Sequence, residues 1–410
     1  MAIAAETPFT LHISDEALAE LDKKLALTRL PDELEGAGWD YGAPLSHIRR
    51  LVDRWRNGFS WRSAEESINR LPMFTRSLEV DGFGALELHY VHQRSQRSNA
   101  IPLLFVHGWP GSFLEVEKIL PLLTAPTDEE APAFHVVAPS LPGFGFSEGP
   151  HQPGFHHAQM AEICHNLMLA LGYEQYVTQG GDVGRRVTQV LASVYAPKHV
   201  KAWHTNMGHP AEPPRFTSSP LKWLSYTLTP FTDEEKKGFA RMKWFQSTQL
   251  GYYMMHATKP QTLAYSLSDS PVGLLAWIYE KLVLWSDEYP WEDDEVLRWI
   301  TLYWFSRAGP GASTRAYLER RAAEAQYQAM PKPVAPMGIS YFPKEVLPVP
   351  RSWVHTVGDV IYESSHSKGG HFAAHEVPEE LVKDVRAMFG RGGPAYGVVA
   401  GAEGYSVPRH

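Results

Sequence analysis

A chain of 410 residues, 44% hydrophobic and 20% charged, can bury a large core and has the composition of a globular protein, not a disordered one. Its formal charge of −8 is spread without a basic run, which argues against a nucleic-acid partner and against docking on an anionic membrane. The single cysteine, Cys164, excludes an intramolecular disulfide and, among Ile163, Leu167 and Leu171, reads as a buried structural thiol.

The opening residues, Met1 to Glu16, are too polar for a signal peptide or an anchor, and no run of about 18 apolar residues follows. A reducing, cytoplasmic setting with no membrane contact is therefore expected; the sequence leaves a homo-oligomer open. Ser14 can cap a first helix, with Asp15 and Glu16 at its positive end and Leu18, Leu21 and Leu25 along one face. A second helix starts near Ser46, carries Ile48, Leu51, Val52 and Trp55 on one side and ends at Asn57-Gly58. Leu78 to Val80 and Leu86 to Val91 read as a strand pair turned at Asp81-Gly82.

From Ile101 the texture changes. Leu103 to Val106, Phe134 to Ala138, Tyr176 to Gln179 and Val200 to His204 are short apolar runs of the kind that make buried parallel strands. The segment Ala158 to Leu171 between them is an amphipathic helix closed by Gly172. Such alternation predicts a doubly wound, mostly parallel sheet. Residues 206–330 hold many aromatics at helical spacing, Trp223, Trp244, Trp277, Trp285 and Trp304 among them, and read as a helical insertion. Strands are expected again at Gly338 to Tyr341 and Trp353 to Val357, then a helix from Glu379 to Met388 and a glycine-rich tail that packs loosely. The chain thus divides into an N-terminal extension (1–95), a first core part (96–205), a helical lid (206–330), a second core part (331–395) and a tail (396–410).

One strand runs directly into Gly180-Gly181-Asp182-Val183-Gly184 and opens a helix from Arg185 to Tyr195. Small residues on both sides of a central nucleophile form the sharp strand-to-helix elbow of the α/β-hydrolase fold, here with Asp in place of the usual Ser. By itself the turn also fits an Asp that merely caps the helix. His107-Gly108-Trp109-Pro110-Gly111 after the first core strand occupies the place of half an oxyanion hole, and Gly370-His371-Phe372 after the last strand the place of the fold's histidine. Nucleophile, acid and histidine would run in the fold's own order as Asp182, Glu345 and His371.

These motifs, with Phe342-Pro343-Lys344-Glu345 and Gly369-Gly370-His371-Phe372-Ala373-Ala374, resemble the microsomal-type epoxide hydrolases of the α/β-hydrolase superfamily. The N-terminal helical segment is similar to that family's as well, so the resemblance spans nearly the whole chain. It implies Asp182 as nucleophile, His371 as base and Glu345 as the acid that orients it. It also implies two lid tyrosines, Tyr252 within Gly251-Tyr252-Tyr253-Met254 and Tyr317 within Arg315-Ala316-Tyr317-Leu318-Glu319. The membrane-bound members carry a hydrophobic anchor that this sequence lacks, so a soluble member is expected.

The residue types suit that chemistry. A carboxylate with an ordinary pKa near 3.9 is ionised at neutral pH and needs no base before attacking an epoxide carbon. The alkoxide so formed is too basic to leave unaided, and phenols such as Tyr252 and Tyr317 can supply its proton. Water activated by His371 would then attack the ester carbonyl of Asp182, the oxyanion lying against the backbone N–H groups of Trp109 and Val183. One such donor is typically worth about 3–4 kcal/mol. The partners are a small epoxide and water, and neither cofactor nor metal is required.

Some alternatives stay open in the sequence. Tyr253 adjoins Tyr252, and Asp359 competes with Glu345 as the acid. His151, His156, His157 and His165 cluster without the spacing of a metal site. A haloalkane dehalogenase would also use an elbow Asp, though without need of lid tyrosines, and a non-catalytic small-molecule receptor could keep the fold.

Overall fold

The computed structural model describes residues 6–217 and 219–406; residues 1–5, 218 and 407–410 lie outside the described residues. Nine strands form one sheet: β1 (Thr7–Pro8), β2 (Met73–Val80), β3 (Gly84–Gln93), β4 (Ile101–Val106), β5 (Phe134–Pro139), β6 (Tyr176–Gly180), β7 (Val200–Thr205), β8 (Met337–Tyr341) and β9 (Val360–Ser365). Their order is β1-β2-β3-β5-β4-β6-β7-β8-β9, antiparallel as far as β5 and parallel from β5 to β9. This is the α/β-hydrolase fold. Every residue of the central strand β4 is buried, as expected for a strand covered on both faces.

Three helices precede the core: α1 (Asp15–Ala26), α2 (Leu45–Asn57) and α3 (Trp61–Ile68). The Ser14 hydroxyl accepts the Ala17 N–H at 3.2 Å, capping α1. Ile48, Leu51, Val52 and Trp55 of α2 are all buried. Within the core, α4 (Ile119–Thr124), α5 (His157–Ala170) and α6 (Asp182–Val194) connect strands, and α5 packs on α6. Between β7 and β8 lie α7 (Pro220–Leu228), α8 (Asp233–Thr248), α9 (Gly251–His256), α10 (Pro260–Asp269), α11 (Pro271–Trp285), α12 (Asp293–Trp304), α13 (Arg315–Ala322) and α14 (Glu324–Ala329). They form the helical lid. The N-terminal helices α1, α2 and α3 pack on α11 and α12 of this lid. No helix among the described residues is long and apolar enough to cross a membrane.

Two expectations are corrected. Trp353 to Val357 is not a strand. Pro350 leads into a single helical turn, α15 (Arg351–Val354), and Val354 and Val357 bury themselves with the spacing of a helix face. The strand beside β8 is β9, whose polar Glu363, Ser364 and Ser365 hid it from a search for apolar runs. The described part of the tail, to residue 406, is not loose either. After α16 (Ala373–Glu376) and α17 (Pro378–Phe389), Ala395, Val399 and Tyr405 are buried, and Gly404 exchanges backbone hydrogen bonds with Ala133 and Asn99 at 2.8 Å.

Candidate active site

The sequence-selected core residues lie just beyond the C-terminal ends of β4, β6, β8 and β9, the edge at which open α/β sheets hold ligands. Asp182 sits where β6 turns into α6 at φ +50°, one of two non-glycine residues with positive φ among the described residues. Such a conformation costs about 1–2 kcal/mol for most L residues and least for Asp and Asn. A Cβ on Gly184 would overlap the carbonyl oxygens of Val106 and His107, so only glycine lets α6 begin this close to β4. Gly108 gives the Asp182 carboxylate room in the same way.

The carboxylate is held from both sides. The Trp109 N–H donates to Asp182 Oδ1 at 2.7 Å, and the neighbouring Val183 N–H favours the charge of the same carboxylate. His371 Nε2 stands 3.7 Å from Asp182 Oδ2, and its Nδ1 is 2.8 Å from Glu345 Oε1. That oxygen also accepts the Val346 N–H at 2.6 Å. The loops bearing acid and histidine are tied together, since Lys344 bridges to Gly370 and its N–H donates to the Gly369 carbonyl. From the lid, Arg241 of α8 donates to the carbonyls of Glu345 at 2.8 Å and Lys344 at 2.6 Å. The His371 N–H donates to the Trp285 carbonyl at 2.9 Å.

Burial raises the Asp182 carboxyl above its ordinary range, opposed by His371 and by the Trp109 and Val183 N–H groups. Burial pulls the His371 imidazole down, but Glu345, Asp182 and Glu115 outweigh it and hold the ring up at about 9. Burial and the charge of Asp182 push both Tyr252 and Tyr317 well above the usual phenol value. Both phenols therefore stay protonated at neutral pH.

Tyr252 of α9 stacks on Trp109 with ring centres 5.2 Å apart, and Tyr317 of α13 meets the Tyr252 ring edge-on at 6.0 Å. The Tyr317 hydroxyl is buried and close enough to feel Tyr252, yet makes no hydrogen bond of ordinary geometry. Tyr253 is only half-buried and packs against Tyr317. Asp359 lies at the entry to β9, the opposite end of the sheet from His371. The four clustered histidines serve separate ends: His156 caps α5, His165 meets the Tyr176 hydroxyl at 2.8 Å, His151 pairs with Glu148, and His157 borders the pocket.

A pocket of about 420 Å³ opens on Asp182, walled by Val183, Met207, Phe245, Leu250, Tyr252 and Tyr317. A recess with only about 10 Å³ open to a water centre lies among Trp109, Glu115, Gln179, Asp182, Asn206 and His371, on the order of what one water needs. Sequence reading missed Glu115, a lone carboxylate in the apolar run from Phe113 to Val116, and that isolation was the available signal. It also missed Trp299 and Tyr303 of α12, which donate to the Pro110 and Gly111 carbonyls, each at 2.6 Å. No local signal marks these two, because their partners stand about 190 residues away in the chain.

The chain matches the family model of the epoxide hydrolase N terminus over residues 6–116 and that of the alpha/beta hydrolase fold over residues 101–271. It is 34% identical to epoxide hydrolase 1 of Sus scrofa, covering 93% of this chain and 88% of that one. Among solved structures it is similar to the epoxide hydrolase of Aspergillus niger, with a TM-score of 0.80 and 35% identity over 94% of this chain and 96% of that one. It is also similar to the juvenile hormone epoxide hydrolase of the silkworm Bombyx mori, with a TM-score of 0.83 and 29% identity over 93% of each.

Proposed function

We infer the catalytic roles from one premise: the chain belongs to the epoxide hydrolase family. It is an enzyme that hydrolyses an epoxide to a vicinal diol. The observation that carries the mechanism is the Asp182 carboxylate, flanked by the Trp109 N–H and the His371 ring and opening on the pocket.

In this reading Asp182 attacks an epoxide carbon and forms an alkyl ester, while Tyr252 and Tyr317 give the departing oxygen its proton. The negative charge leaves Asp182 as it develops on that oxygen. This removes the charge that raised both phenols and makes them stronger acids when the proton is needed. Esterification also removes one of the carboxylates that hold the His371 proton, so the ring becomes a better base for the second step.

Proton accounting closes with His371 protonated at rest. Its proton restores the spent tyrosine, and the neutral ring then takes one from the attacking water. Oxygen from that water stays on Asp182, and the released alkoxide takes the water's second proton. Glu115, Gln179 and Asn206 are suited to hold the attacking water beside His371. Glu345 keeps the imidazole oriented through Nδ1, and the N–H groups of Trp109 and Val183 receive the oxyanion. The acidic net charge supports a small-molecule partner and no nucleic acid, and the single buried cysteine supports a cytoplasmic setting.

Oxygen tracing tests the mechanism. A single turnover in ¹⁸O-water with enzyme in excess should give mostly unlabelled diol and place the label in the peptide carrying Asp182. Fully labelled diol in that first turnover would make Asp182 a base or a bystander.

A further inference from the structure

The pocket that opens on Asp182 carries a cation that a neutral epoxide has no use for. Arg185 and Arg186 are adjacent on α6, but their surroundings differ. Arg185 is fully buried and satisfied, donating to the carbonyls of Met207 and Pro210 and to Gln189 Oε1. Arg186 lines the pocket, and among the described residues it makes no hydrogen bond, ion pair or ring contact. Arg320 lines the same wall, but its charge is met by Glu324, a turn further along. The Arg186 charge is thus the one at this wall without a counter-charge in contact.

Its surroundings are hostile to a lone cation. Burial, then the like charges of Arg185 and Arg320, disfavour the charged guanidinium, with Glu324 offsetting only part. Arginine does not lose its proton in proteins, so an anion entering the pocket would meet a charge that deprotonation does not remove. His157 and His209 border the same space, and burial keeps both rings neutral at physiological pH. The His157 Nδ1 is buried with no hydrogen-bond partner. Met207, Phe245, Leu250, Val346 and Leu347 supply apolar wall to the same pocket, while Glu324, on its lining too, is engaged by Arg320.

We propose that Arg186, with His157 and His209, forms a carboxylate subsite, and that the preferred substrates are epoxides carrying a carboxylate on a hydrocarbon chain. A guanidinium fork matches a carboxylate in two parallel hydrogen bonds, and one unmatched positive charge suits a monoanion better than a phosphate dianion. Asp182 stands one helical turn before Arg186, about 6 Å along the axis. Its own negative charge turns an acidic substrate the right way round, with the carboxylate held away from the nucleophile and the ring presented to it.

The proposal rests on the epoxide reading of the Asp182 site, and the test separates the two. Terminal epoxy fatty acids of increasing chain length are each assayed against the matching primary amide, which keeps shape and loses charge. For at least one chain length the wild-type enzyme should prefer the acid by tenfold or more in kcat/KM. Arg186→Met should bring that ratio to about one, and Arg186→Lys should retain part of it. Inhibition of the wild-type enzyme by hexanoate but not by hexanamide reads the same subsite with no substitution. Amides turned over as well as acids, or equal inhibition by the two probes, would overturn the subsite alone. No turnover of any epoxide would overturn the epoxide reading and the subsite with it.

Discussion

Glu115, Asp182 and His371 share one recess, where Asp182 and His371 act on Glu115 and both carboxylates act on His371. Burial lifts the Glu115 carboxyl to about 8 from 4.5, with Asp182 adding to the rise and His371 opposing it. The folded chain therefore holds this proton at pH values where the unfolded chain has released it. The stability it contributes is complete below about pH 4.5 and drains as the pH climbs through about 8. Glu115→Gln copies the protonated carboxyl in folded and unfolded chain alike, so it should match the wild type in Tm near pH 4 and exceed it by a margin that grows up to about pH 9. It also removes one of the carboxylates that raise His371, which should move the pH profile of ester hydrolysis toward acid. Thermal melts at the two pH values and a single-turnover profile check both. A Tm difference that ignores pH would mean that Glu115 is ionised throughout.

The elbow between β6 and α6 is the element on which the site depends. Its backbone takes a left-handed turn at Asp182 while the next turn of helix lies directly against β4. A methyl group on Gly184 would meet backbone atoms that have no rotamer with which to yield. Gly184→Ala is therefore expected to lower stability by about 3 kcal/mol or more, the upper range for overpacking. Gly251 offers the contrast, opening α9 with nothing near the place a Cβ would take. Gly251→Ala should be neutral or gain about 0.5–1 kcal/mol from helix propensity. Denaturant melts of the two variants decide the matter, and equal losses would show that helix propensity and not crowding governs both sites. The elbow was legible in the sequence because glycine spacing states the backbone requirement directly. The edge strand β9 was not, because an edge needs no apolar face and so leaves no pattern.

Across the whole molecule, the N-terminal helices clasp the lid and leave the sheet to other elements. Arg50 pairs with Asp293 and Arg54 with Asp294, both at the surface, where such pairs contribute under about 1 kcal/mol. Trp55, one residue from Arg54, is 5% exposed and belongs to the buried face of α2. If apolar burial holds the clasp, Arg54→Ala should hardly move the unfolding midpoint. Trp55→Ala should then cost about 3–5 kcal/mol. Comparable losses from the two would make the ion pairs the clasp instead.

The sequence by itself determined what local chemistry dictates. Alternating apolar runs gave the parallel sheet, small residues around Asp182 gave the elbow, and short motifs at strand ends put Trp109 and His371 beyond the sheet, whereas Glu345 was singled out from Asp359 by the family resemblance. Each of these depends on residues within a few positions of one another, where backbone geometry leaves little choice. Tertiary structure alone decided the contacts that cross the chain. Periodicity tells a lid helix which face to bury but not against what. Only packing brings Trp299 and Tyr303 to the Pro110 and Gly111 carbonyls, Arg241 to the acid loop, and Tyr252 over Trp109. For the same reason Arg186 looked like an ordinary charge in the sequence, and the isolation of Glu115 in an apolar run did not say what it faces. Their surroundings come from segments far away along the chain, and a charge acquires its meaning from what surrounds it.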